Sequence, residues 1–276
     1  MAITIIAGAP GSGKTSLAAA LLCEIYRTQG ETLQEETAAK IEAANEKRLN
    51  PLEIPQKPPI YADFDIEFLV GYEEYYKPYF INGFYLGLPN DKMQTQFVPP
   101  GSKIFLSEVQ RYYDSRKKAL PDHVSRFFEM HRHYGIDIYL DIQRAMLVDL
   151  NIKELCRRFI EIQSHQNITD ENGRIFKTVW TYREFGSWIE YEQYLSSNAQ
   201  TYITKTYTHN GNIFECFNSF SFYEEFFPPE NGKFSYLEYK SRTASQDLDE
   251  ATAAFYKISE PEIYRGKPKE NKEKKQ

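Results

Sequence analysis

The chain has 276 residues, 41% of them hydrophobic, which is ample for one large domain or for a core domain with a small appendage. Its 33 basic and 39 acidic residues leave a net charge of −6, which excludes a surface that traps nucleic acid wholesale and confines any such contact to a local patch. Three cysteines (Cys23, Cys156, Cys216), an odd number without metal-ligand spacing, exclude a disulfide framework and read as free buried thiols in a reducing cytoplasm.

The first element is Ala2 to Ala7, a continuous β-branched run expected to be a strand buried on both faces of a parallel sheet. It lacks the basic start of a leader peptide, and nowhere does the chain offer the ~20 apolar residues that cross a bilayer, so a soluble or peripheral protein is expected. After a glycine-rich loop, Leu17, Leu21 and Ile25 recur at helical spacing, and Gly30 is expected to stop that first helix. Residues 31–56, rich in Glu, Ala, Lys and Gln and then broken by Pro51 and Pro55, read as a solvated helix and linker. Pro59 to Phe64 is a short second strand. The tyrosine-rich insertion over 68–97 has no readable fold, and its aromatics are expected in a core or interface rather than stacked on a ligand.

Lys103 to Leu106 predicts a third buried strand ending at Ser107-Glu108, and Ile136 to Ile142 a fourth ending near Gln143. Between them Pro121 opens a helix whose Val124, Phe127, Phe128 and His131 share a face, with Gly135 as its left-handed stop. A fifth strand is expected at Phe159 to Ile162. From Gln166 the pattern changes to short β-prone runs, Ile175 to Tyr182 and Tyr202 to Thr208, with turn signals at Asn172-Gly173 and Asn210-Gly211. The expected organisation is thus an α/β core over 1–165, a β-rich appendage over 166–230, and a linker from 231 ending in a charged tail without apolar residues at 266–276.

The strongest chemical signal is Gly8-Ala9-Pro10-Gly11-Ser12-Gly13-Lys14-Thr15, which fits the phosphate-loop pattern G-x-x-x-x-G-K-[ST] between a predicted strand and a predicted helix. Glycines let backbone N–H groups turn toward phosphates, and the amino end of the helix adds partial positive charge there. Lys14 is expected at the β- and γ-phosphates of ATP and Thr15 in the Mg²⁺ shell, with Ser16 next along the helix.

Ile104-Phe105-Leu106-Ser107-Glu108 places a carboxylate at the carboxyl edge of a buried strand, where open α/β sheets hold ligands. Glu108 is the general-base candidate. Such strands usually end Asp-Glu, and here Ser107 stands in the metal-side Asp position. Weakened metal affinity or turnover is one consequence; help from another carboxylate, Asp63 or Asp141, is the other. Gln143 closes the neighbouring strand, where an amide can orient water and sense the γ-phosphate, or simply cap the strand. Arg132, Arg144 and Arg116 are each candidates for an arginine finger reaching a neighbouring subunit's nucleotide, while cations at a helix carboxyl end are also favourable in themselves.

Gly8 to Thr15, Glu108-Val109-Gln110, Arg116, His131-Arg132-His133 with Gly135 and Asp137, and then Gln143 follow the order and spacing of the zonula occludens toxin-like family over residues 1–165. The chain resembles that family, which contains the filamentous-phage gene I assembly proteins. The resemblance implies a P-loop ATPase of the additional-strand class, akin to the FtsK and HerA DNA pumps, with the sensor strand beside the phosphate-loop strand. It implies a homo-oligomeric ring, such as a hexamer, that uses ATP and Mg²⁺ to drive phage assembly and export of single-stranded phage DNA. Phage coat and assembly proteins are its implied partners, at the cytoplasmic face of the host inner membrane. Two departures stand out: Ser107, and the missing membrane-spanning helix, so that membrane association through partners is expected. A DNA-packaging or DNA-transfer ATPase, or a nucleotide-binding scaffold with weak hydrolysis, are the alternatives.

Overall fold

In the computed structural model the described residues are 2–49, 51–69, 75–83, 86–87, 96–116, 120–197 and 199–217. Strand β1, Ile3–Ala7, runs through the glycine loop into helix α1, Lys14–Asn45. Strand β2, Ile60–Ala62, is followed by five two-residue strands: β3, Phe68–Leu69; β4, Tyr75–Tyr76; β5, Tyr79–Phe80; β6, Leu86–Gly87; and β7, Gln96–Phe97. Then come β8, Lys103–Leu106, helix α2, Asp122–Met130, β9, Asp137–Ile142, and the short helix α3, Leu150–Glu154. A long hairpin of β10, Cys156–Thr169, and β11, Ile175–Phe185, leads to helix α4, Trp188–Ser197, and β12, Ile203–Asn210.

The main sheet has the order β12-β11-β10-β1-β9-β8-β2-β5. Neighbours from β10 to β5 are parallel, and β11 and β12 add on antiparallel. An additional strand, β9, therefore stands between β1 and β8. Alternation along β1 divides the core into two layers. Ile3, Ile5 and Ala7 pack with Val124, Phe127 and Phe128 of α2, while Ile6 packs with Leu17, Ala19 and Leu22 of α1. The fold is thus an α/β P-loop architecture in which the glycine loop, the end of β8 and the end of β9 lie at one sheet edge.

Several expectations need correction. Gly30 does not stop α1; it is buried within the helix, where an added Cβ would lie 3.6 Å from Pro58 Cγ. The helix continues to Asn45 because Leu33, Thr37 and Ile41 are buried at helical spacing, so the segment after Gly30 has a core face rather than being solvated all round. Asn45 then closes the helix end on Leu52 with two hydrogen bonds of 2.7 Å. The fifth strand is much longer than Phe159 to Ile162. Because β10 runs through 165 and 166 and pairs with β11 from Phe159 to Thr169, the β-rich addition extends the central sheet itself.

Within the tyrosine-rich insertion, Phe68, Tyr76, Tyr79 and Phe80 are buried, and Tyr76 lies 4.0 Å from the ring of Tyr26 on α1. The expected linker and charged tail, 231–276, lie outside the described residues, as does the appendage from 218 onward. Cys156 is buried, but Cys23 and Cys216 are only half-buried. Among the described residues no helix is long and apolar enough to cross a membrane.

Candidate nucleotide site

The loop between β1 and α1 is shaped by close approach. A Cβ on Gly8 would lie 2.5 Å from Ser12 Oγ and 3.3 Å from Ser12 Cβ, so a larger residue there would have to displace the Ser12 side chain. Gly13 has φ 84°, and a Cβ on it would meet Trp180 Nε1 at 2.9 Å and His165 Cγ at 3.0 Å. Lys14, only 7% exposed, folds over the loop and donates from Nζ to the Ala9 carbonyl at 3.0 Å. No acidic side chain occupies the first turn of α1, so its positive end is left to attract an anion. Above it opens a cleft of about 600 Å³ lined by Pro10, Gly11, Gly13, Lys14, Thr15 and Ser16 on one side and by Glu108, Gln143, His165, Phe214 and Phe217 on the others.

Beside Thr15 stands a carboxylate from β9. Parallel pairing sets Leu106 opposite Leu140 and Ile6 opposite Asp141, which brings Asp141 alongside both Ser107 and the start of the loop. Thr15 Oγ1 donates to Asp141 Oδ2 at 2.9 Å, Ser107 Oγ donates to the same oxygen at 3.0 Å, and the Glu108 amide donates to Oδ1 at 2.9 Å. Burial pushes the Asp141 carboxyl up from its usual range, against the Glu108 amide, the Lys14 ammonium and the two hydroxyls. Asp63 sits behind Ser107, accepting its amide at 2.7 Å, and burial holds this carboxyl well above the usual range despite that bond, with nearby Asp141 adding to the effect. Of the two helper carboxylates, Asp141 and not Asp63 therefore reaches Thr15.

Glu108 adopts φ 47°, ψ 50°, the one non-glycine residue with positive φ among the described residues. The turn aims its side chain into the cleft at the cost of about 1–3 kcal/mol of backbone strain. Gln143 Nε2 donates to Glu108 Oε1 at 3.1 Å, and Arg111 pairs with the other oxygen, Oε2. The sequence reading paired Glu108 with Gln143 by position but missed Arg111, which the three-residue step of the short 3₁₀ turn Val109–Arg111 swings back onto it.

Residues 88–178 match the family model described as Zonular occludens toxin (Zot). The match covers about a third of the chain. It contains Glu108, Asp141, Gln143 and the His131 to Asp137 stretch, whereas the phosphate loop lies outside it. No curated protein matches the chain. Among solved structures, the N-terminal domain of zonular occludens toxin from Neisseria meningitidis is 16% identical, with 79% of this chain and 98% of that one covered and a TM-score of 0.45. B204, the DNA-packaging ATPase of Sulfolobus Turreted Icosahedral Virus, is 13% identical over 75% of this chain and 96% of its own, with a TM-score of 0.34. The genome packaging NTPase B204 of Sulfolobus turreted icosahedral virus 2, in complex with ATP-gammaS, is 12% identical over 74% and 96%, with a TM-score of 0.33.

The most recognisable stretch of the Zot segment, His131 to Asp137, lies at the sheet edge opposite the loop, because it precedes β9 whereas the cleft lies at that strand's end. It is a structural corner. His131 is fully buried with Nδ1 2.5 Å from the Phe128 carbonyl, Gly135 turns the chain at φ 71°, and Asp137 pairs with Lys103 and accepts the Ala2 amide at 2.7 Å. Of the three arginine candidates, Arg132 is exposed at this far edge, and Arg116 is exposed but gripped by both oxygens of Asp114 at 3.0 and 2.8 Å. Arg144, exposed one residue past Gln143, shares the edge with the loop.

A further set of contacts had no sequence signal. His165 of β10 and Trp180 of β11 are cross-strand partners that close on Gly13 from outside, and Trp180 Nε1 donates to the Gly13 carbonyl at 3.1 Å. The same carbonyl accepts Ser16 Oγ and the Leu17 amide, so the sheet extension braces the loop. Replacing the fully buried Trp180 by Phe is expected to cost about 1–3 kcal/mol, from the lost donor and the space left behind. Urea unfolding measures that loss, and a bracing role adds a several-fold loss of nucleotide affinity that a merely buried indole would not show.

Proposed function

We propose that this chain is an ATP-hydrolysing motor subunit of phage assembly. The observation that carries the reading is the convergence, on one cleft, of Lys14 and Thr15 from the loop with Glu108 and Gln143 from two neighbouring strand ends. The donors fit the terminal phosphates of a nucleotide: an ammonium, loop amides, and the unneutralised amino end of a long helix. Magnesium, if bound with ATP, would be held by the Thr15 hydroxyl and would offset the charge of the phosphates.

Each side chain then has a distinct task. Lys14 grips the β- and γ-phosphates, as its place over the loop suits, and the loop residues Gly8 to Ser16 wrap the phosphates. Glu108 accepts the proton of the attacking water, which Gln143 helps to orient. The base has an aromatic platform in Phe214 and Phe217, whose rings lie 6.1 Å apart on the wall of the same cleft, with His165 beside them. Arg144 is the finger candidate best placed beside a nucleotide, and in a ring it reaches the next subunit. The finer reading is a homo-oligomeric ring that drives filamentous-phage assembly and extrusion of single-stranded phage DNA. It works with coat and assembly proteins at the cytoplasmic face of the host inner membrane. The match of residues 88–178 to the Zot family model supports this reading.

One observation favours a second reading, a nucleotide-binding scaffold with weak hydrolysis: both Glu108 oxygens are engaged, by Gln143 and by Arg111. Steady-state phosphate release by the purified chain, measured with and without Mg²⁺ and alongside its size in solution, separates the two. The motor reading expects Mg²⁺-dependent turnover and particles larger than a monomer. Tight ATP binding without turnover selects the scaffold, and indifference to Mg·ATP removes both.

A further inference from the structure

We propose that Asp141 performs, from the neighbouring strand, the metal-side task of the aspartate that β8 lacks: it positions Thr15 for the magnesium ion that accompanies ATP. The inference rests on the nucleotide-site reading above and adds a residue to it. A hydroxyl has one proton and two lone pairs. Thr15 gives its proton to Asp141 Oδ2, which leaves both lone pairs of Oγ1 available to a cation. Ser107 gives its proton to the same oxygen, so the residue in the usual aspartate position acts as a second donor that fixes the carboxylate. The Glu108 amide fixes Oδ1, so all three donors come from the loop or the end of β8, the two elements the site must join.

The displacement is small. Adjacent strands lie ~4.8 Å apart, so moving a carboxylate from the end of β8 to the end of β9 shifts it by one strand, toward β1 and Thr15. Ser107 and Asp141 are 4% and 2% exposed, so the pair acts in a water-poor setting where a single negative charge counts for more than at the surface. Asp141 touches neither water nor phosphate in this assignment and acts through Thr15: it is a positioning residue.

The test is the magnesium dependence of nucleotide binding, read with the fluorescent analogue mant-ATP on the intact chain, in excess Mg²⁺ and in EDTA. Asp141→Asn keeps the shape and removes the charge. It is expected to lower the ratio of the EDTA Kd to the Mg²⁺ Kd by about tenfold or more, as loss of a partner to a metal ligand does. An Asp141→Asn protein that keeps the unmutated ratio overturns the inference and leaves the nucleotide site standing. An unmutated chain that binds mant-ATP in neither condition instead overturns the reading beneath it. Should Asp141→Asn fail to fold by thermal melting, the exchange of Ser107→Asp with Asp141→Ser decides. A ratio within about threefold of the unmutated chain shows that the carboxylate serves from either strand, and a ratio near one overturns the assignment.

Discussion

Glu108→Gln is expected to lower ATP turnover by about 10²- to 10⁴-fold, the usual contribution of a positioned general base, while ATP affinity changes only a few-fold. The amide matches the carboxylate in shape and can still meet Gln143, but it cannot accept water's proton. It also loses the ion pair with Arg111. Gln tolerates the backbone at φ 47° no worse than Glu, so folding is expected to be preserved. Steady-state phosphate release and mant-ATP titration on the same preparation check both halves. Turnover at the unmutated rate would remove Glu108 from the chemistry and leave its left-handed backbone as a turn requirement alone.

Lys14→Ala is expected to act at the earlier step. The lysine is nearly buried, its ammonium rests on the Ala9 carbonyl, and no other cation lines the cleft among the described residues. Losing a hydrogen bond to a charged group removes about 1.5–3 kcal/mol, which translates to about 10- to 100-fold in ATP affinity. Hydrolysis is expected to fall with it, because the γ-phosphate loses its strongest neutraliser. Titration of the variant measures the loss; affinity equal to that of the unmutated chain would show that the loop amides alone hold the phosphates.

The two predictions draw on residues that differ in how they could be found. Lys14 and its loop are contiguous, and local spacing between a β-branched run and a helical pattern is enough to assign them. Glu108 was legible as a carboxylate ending an apolar strand. Asp141 was legible as a charge inside the otherwise apolar Tyr139-Leu140-Asp141-Ile142 and as one of two helper carboxylates, with nothing in the sequence to choose it over Asp63. Its bond to Thr15 spans 126 positions, and that of Trp180 to Gly13 spans 167. Neither pairing has a local signature. Gly30 shows the reverse failure: glycine read as a stop, although the buried positions beyond it, Leu33, Thr37 and Ile41, kept the helix going.

The stretch from His131 to Asp137 carries a different lesson. Its spacing offered Arg132 as one of three finger candidates, and the fold puts the stretch at the far edge of the sheet, where His131 and Asp137 lock the turn into β9. Distinctive residues mark constraint, and the constraint here is a crowded corner.

Amino-acid order alone determined that a phosphate loop would form, that buried parallel strands would flank it, and that Glu108 and Gln143 would end two of those strands. These follow from short-range sterics and hydrophobic periodicity, which neighbours along the chain decide among themselves. Only the tertiary structure decided that Asp141 would accept hydrogen bonds from both Thr15 and Ser107, and that the hairpin would clamp Gly13. Those contacts depend on which strands pair and in what register, and that choice is made by burial of the whole sheet rather than by any segment of it.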